Sequence, residues 1–167
     1  MVELPDTVRH YFLDAGWYPG RTVPVPASVP RDHPAWAVLA AFGGLKILER
    51  EPDPDPDWPP IEELVFRELH PCPAITDVWG GLLGTRLVGI ADVNNAHGEL
   101  YLAADGRCFG SSCMHPAFYF EGETFAEAVE GMLLGRRARP MLRPGQECVT
   151  LYGERFTATS PELYRYG

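Results

Sequence analysis

The sequence predicts a single α+β domain, a mainly antiparallel sheet packed with N-terminal and C-terminal helices. Apolar residues recur at helical spacing near the start (Leu4, Val8, Tyr11, Phe12) and again late in the chain (Phe125, Val129, Met132, Leu133). Between them lie β-rich stretches broken by tight turns, with no regular strand–helix–strand alternation, which excludes a doubly wound parallel sheet. The 167 residues fit one compact domain, and 46% hydrophobic with 22% charged residues excludes wholesale disorder. Seventeen Pro and 17 Gly predict many turns and short elements.

In chain order, the first helix runs over Leu4 to Ala15, with Pro5 in its first turn and Gly16 closing it. Trp17 to Arg21 (WYPGR) makes a turn with its own aromatic anchor. Four prolines between Thr22 and Pro34 keep that stretch extended over the surface. A short helix from Ala35 to Phe42 ends at Gly43-Gly44, and Leu45 to Glu49 reads as a strand. Glu51 to Pro60 (EPDPDPDWPP) can form neither helix interior nor paired ladder and reads as an exposed polyproline-like loop.

Ile61 to Leu69 follows as a strand, then a helix over Pro73 to Leu83 weakened by Gly80-Gly81. Strands over Arg86 to Val93 and Gly98 to Ala103 lead through the Ala104-Asp105-Gly106 turn to a partner strand from Arg107 to Phe109. Thr124 and Glu127 form a capping box that opens a helix ending at Gly135. A strand near Cys148 to Tyr152 and a Tyr-rich tail complete the chain. The expected organisation is a domain over 1–139 with an extension, 140–167, packing on it.

The charge is uneven. Of a net −9, two thirds falls between Glu49 and Glu68, where eight acids face only Arg50 and Arg67. Such a field repels nucleic-acid phosphates and attracts basic partners, which disfavours a nucleic-acid-binding role. No apolar run approaches the roughly 20 residues that span a bilayer, and the N-terminus is charged where a signal peptide needs an apolar core. A cytoplasmic protein without membrane contact is expected, with Cys72, Cys108, Cys113 and Cys148 as reduced thiols.

Chemistry-bearing motifs are few. His97-Gly98-Glu99 matches the H-x-E half of a zinc nucleobase deaminase, yet no P-C-x-x-C follows to complete the site. Cys108, Cys113, His115, His70 and Cys72 are the remaining candidates for zinc, at spacings that fit structural zinc motifs poorly. A zinc-dependent hydrolase or deaminase using His97, Glu99 and cysteine ligands therefore stands as the alternative reading. No nucleophile elbow or phosphate loop occurs. Arg136, Arg137, Arg139 and Arg143 follow the last helix, where cations suit the negative end of its dipole. They also offer a dock for a phosphate or carboxylate. Trp58, an aromatic among acids, has the composition of an interface anchor.

The order of the short motifs resembles the third group of the SUKH superfamily. AGWYPGR (Ala15 to Arg21) precedes a short helix into FGGL (Phe42 to Leu45). LLGTRLVGIADVNNAHGELYLAADGRCF (Leu82 to Phe109) is similar to the strand pair and D-G-R turn of that group, and ETFAEAVEGMLLG (Glu123 to Gly135) to its closing helix. The resemblance implies an α+β immunity protein of a bacterial polymorphic toxin system. Such a protein is non-catalytic and binds and neutralises a cognate toxin, a nuclease or nucleobase deaminase. It brings no catalytic residues, cofactor or metal. The shared positions Trp17, Arg21, Gly43, Gly44, Asp105 and Gly106 look like fold signatures. The partner-binding residues expected from charge and exposure are Glu49, Glu51, Asp53, Asp55, Asp57 and Trp58, facing a basic toxin domain.

Overall fold

The computed structural model describes residues 2–48 and 60–167. Its helices are α1 (Asp6–Asp14), α2 (Pro34–Phe42), α3 (Pro73–Thr76), α4 (Val78–Leu83) and α5 (Phe125–Leu133). The strands are β1 (Lys46–Leu48), β2 (Glu63–Phe66), β3 (Leu87–Val93), β4 (Gly98–Ala103), β5 (Cys108–Ser112), β6 (Phe118–Gly122), β7 (Arg139–Pro140), β8 (Cys148–Leu151) and β9 (Glu154–Thr157). The first seven form one antiparallel meander in chain order, and β8 and β9 make a separate hairpin. This is the α+β architecture the sequence predicts.

Both faces of the meander are buried, so its central strands place apolar residues on either side. Leu100, Leu102 and Cys108 point toward α1, α2 and α5, into a core built around Phe12, Phe42, Phe66 and Phe125. Tyr101, Phe109, Phe118 and Phe120 point the other way, against Trp79 of α4 and the C-terminal tail. There the Tyr164 ring stacks on Phe120 with centroids 4.0 Å apart, and Tyr166 meets the Trp79 edge at 5.8 Å. The tail thus covers aromatic surface that the sheet would otherwise expose to water, where burial is worth roughly 25 cal/mol per Å².

The WYPGR and FGGL motifs meet in space. Arg21 donates to the carbonyls of Ala41 at 2.7 Å and Gly43 at 2.9 Å, satisfying orphan acceptors at the end of α2. Trp17 is buried against Phe42. A Cβ on Gly43 would stand 2.5 Å from the Leu39 carbonyl oxygen, so this position requires glycine. At the β4–β5 turn Asp105 accepts from both the backbone and the guanidinium of Arg107, whose hydrogen bonds hold the Asp105 carboxyl below its usual range.

Several elements differ from their sequence-based expectation. The helix over Pro73 to Leu83 is divided at Asp77 into α3 and α4. The strand after the Ala104–Gly106 turn continues to Ser112, because β6 arrives as a further partner. β6 itself has no counterpart in the periodicity reading. Its aromatic sequence FYFEG packs on both faces and lacks the apolar–polar alternation of a half-exposed strand. At α5 the capping box forms, with Thr124 accepting from Glu127 N–H at 3.1 Å, while the Glu127 carboxylate reaches back to Glu123 N–H.

Candidate functional site

A cleft of about 540 Å³ opens on the helix-bearing side of the sheet, beyond the C-terminal end of α5. Its existence follows from small residues. Leu100 is paired with Gly110, and at Gly110 the sheet carries no side chain, so the Tyr119 ring of the neighbouring strand lies flat across that position. The Tyr119 hydroxyl reaches toward Gly98, standing 3.7 Å from where a Cβ would be. Met132, Gly135 and Arg136 supply the α5 wall, and Leu151, Tyr152 and Gly153 the wall from the C-terminal hairpin.

Two strained turns border this cleft. Asn94, Asn95 and Ala96, between β3 and β4, all have positive φ (51°, 55° and 63°), and Tyr152 at the β8–β9 tip has 56°. They are all the non-glycine residues with positive φ among the described residues. The left-handed region costs an L-residue roughly 1–2 kcal/mol, least for asparagine, and such strain persists where surrounding contacts fix it. Here Asn94 Oδ1 accepts from the N–H groups of Glu62 at 2.8 Å and Glu63 at 3.2 Å. The Tyr152 hydroxyl accepts from Ala138 N–H at 3.0 Å.

The charged groups of the cleft differ sharply in their surroundings. Glu99 borders the cleft, but its carboxylate turns to the opposite face of the sheet, where it accepts from the Tyr101 hydroxyl at 2.6 Å and the Ser111 hydroxyl at 3.1 Å. Arg136 is engaged by Glu130 at 3.3 Å. Glu121 is half-buried beside Tyr119, and among the described residues it has neither hydrogen bond nor ion pair. Burial pushes its carboxyl up to about 8. Desolvation first, and the Glu121 charge second, raise the phenols of Tyr119 and Tyr152.

The structure distributes the sequence candidates widely. Glu49, Glu51, Asp53, Asp55, Asp57 and Trp58 lie outside the described residues. Their described downstream flank does reach the cleft: Ile61 lines it, and its N–H donates to the Met132 carbonyl at 3.1 Å. His97, Glu99 and His115 line the same cleft, but the cysteines of the zinc reading are dispersed. Cys72 and Cys113 face a hollow beside Trp79 that Glu99 also lines, Cys108 is buried in the helix-side core, and Cys148 belongs to the terminal hairpin. No three or more His, Cys, Asp or Glu among the described residues converge to hold a metal ion.

Within the arginine cluster, Arg137 pairs with Glu154 of β9 at 2.9 Å and Arg139 donates to the Leu163 carbonyl in the C-terminal tail at 2.9 Å. Glu121, Tyr119 and Tyr152 were not singled out in the sequence. The one available signal was an acid set within an aromatic strand, FYFEG.

A family model, SUKH-3 immunity protein, matches residues 4–135. The chain belongs to this family. Comparison with curated proteins returned no significant match, and comparison with solved structures returned none either. The SUKH-3 match spans the helices and the meander through α5, and its boundary has a consequence for the cleft. The Leu151–Gly153 wall lies outside the matched residues, so one side of the cleft is built by chain beyond the SUKH-3 region. No helix among the described residues is long and apolar enough to cross a membrane.

Proposed function

We propose that this chain is a non-catalytic immunity protein that binds and neutralises one cognate polymorphic toxin, a nuclease or nucleobase deaminase, in the bacterial cytoplasm. The observation that carries the reading is the SUKH-3 immunity protein match over residues 4–135. The residues held in common support binding over catalysis. Trp17, Arg21, Gly43 and Asp105 are occupied with packing, capping and turn geometry.

Charge supports the partner's character. A toxin that acts on nucleic acid presents a basic surface, and a net charge of −9, two thirds of it within Glu49 to Glu68, steers such a partner toward encounter. On this reading residues 1–139 form the immunity domain and 140–167 an extension packed on it. On the same reading Glu49, Glu51, Asp53, Asp55 and Asp57 contribute a polar rim to the interface with the toxin, with Trp58 near its core.

The test is co-expression of this chain with the product of the neighbouring open reading frame. Rescue of growth together with co-purification is the expected result. A toxic product that is neither bound nor neutralised overturns the proposal.

A further inference from the structure

Glu121 has no structural task that accounts for it. It is half-buried in the cleft wall and, among the described residues, has neither hydrogen bond nor ion pair, a costly state for a partly desolvated carboxyl, whereas Arg136 in the same wall pairs with Glu130. The cavity around it is shaped for a particular guest. Val93, Met132 and Leu151 offer apolar walls to an alkyl stem, and Tyr119 offers aromatic surface to a cation at its end, while the Tyr152 ring already carries the Arg137 guanidinium 5.9 Å from its centroid. Ile61, which follows the acidic segment in the sequence, lines this rim.

We propose that the cleft receives one basic side chain of the toxin, an arginine or lysine, whose cation meets the Glu121 carboxylate beside Tyr119 and Tyr152. The inference rests on the reading that this chain binds a toxin, and it names the place where the contact is deepest. It also gives the C-terminal extension a role, since the Tyr152 turn completes the receptor and lies beyond the SUKH-3 match.

Binding of a cation to a carboxyl that is largely protonated at neutral pH must displace its proton. Association therefore strengthens as pH rises toward about 8, approaching tenfold per pH unit, and each binding event releases up to one proton. Other groups face the same space: His97 from the β3–β4 turn, His115 from the β5–β6 loop, Arg136 beyond α5, Tyr119, and Tyr152 with the Arg137 guanidinium over its ring. The measurement is confined to about pH 7–8.5, where ordinary imidazole titration contributes least.

The experiment is calorimetric titration of the full chain with the purified product of the neighbouring reading frame, in two buffers of different ionisation enthalpy. The parent should release close to one proton at pH 7. Glu121→Gln should abolish that release, flatten the pH dependence and weaken binding at pH 8 by tenfold or more, while Glu147→Gln, an exposed acid away from the cleft, should match the parent. Parent-like affinity and proton release in Glu121→Gln would overturn the cleft proposal and leave toxin binding standing. Absence of binding by the parent would overturn the functional reading itself. Should Glu121→Gln not fold, the parent alone decides: no proton release on binding sinks the proposal.

Discussion

The Tyr119 ring occupies the space a side chain at Gly110 would fill: a Cβ there would stand 2.0 Å from Tyr119 Cε2. One aromatic residue on β6 and one missing side chain on β5 thus set the floor of the cleft. The relationship makes Gly110→Ala a specific probe. Overpacking of this kind costs about 1–3 kcal/mol, and here relief requires the phenol to leave the sheet. Denaturant unfolding should show a loss in that range, and toxin affinity should fall with it.

Glu121 makes a prediction about the free protein. Its folded carboxyl titrates near 8, above the ordinary glutamate value of the unfolded chain, so between these values the folded state holds the extra proton. Its contribution is therefore present at low pH and lost as pH rises through about 8. Stability should decline over about pH 5–8, by at most about 1.4 kcal/mol per pH unit. Glu121→Gln should remove that decline, which thermal melts across the range would reveal.

The four thiols should separate by reactivity. Cys108 is fully buried, and desolvation, aided by Glu121, Glu127 and Asp105, pushes its thiol far above the ordinary value. Cys113 is exposed and should be alkylated first, though burial and Glu99 also raise its thiol. Mass spectrometry of a timed iodoacetamide reaction should find Cys108 labelled last. Cys108→Ala should cost about 1–3 kcal/mol and Cys113→Ala under about 0.5, while reductant should leave the melting temperature unchanged.

The acidic segment should act on rates. Asp53, Asp55 and Asp57 repel one another in water, so their neutralisation to Asn should leave the melting temperature nearly constant. Association with the toxin should slow, and its dependence on salt should flatten. Trp58→Ala should act mainly through faster dissociation, which stopped-flow or surface-binding kinetics would separate.

The fold was legible where one face of an element is polar and the other apolar. α1, α5 and the β3–β4–β5 ladder follow from spacing and turn chemistry alone. β6 was hidden because Phe118 and Phe120 pack beneath the tail while Tyr119 packs on the opposite face. The site was less legible still. Glu121 becomes notable only when its neighbours prove to be Tyr119 and Tyr152, 33 residues apart in the chain, with no donor for its carboxylate among the described residues. Composition located charge, and folding located the unpartnered charge.

The most direct test of the central claim is inhibition of the purified toxin, the product of the neighbouring reading frame, by increasing amounts of this chain. A non-catalytic immunity protein acts by occupancy, so toxin activity should fall linearly and vanish at one molar equivalent, with both proteins recovered intact as a complex. Full toxin activity in molar excess of this chain would contradict the account, as would complete inhibition by a small fraction of an equivalent, which would signify turnover.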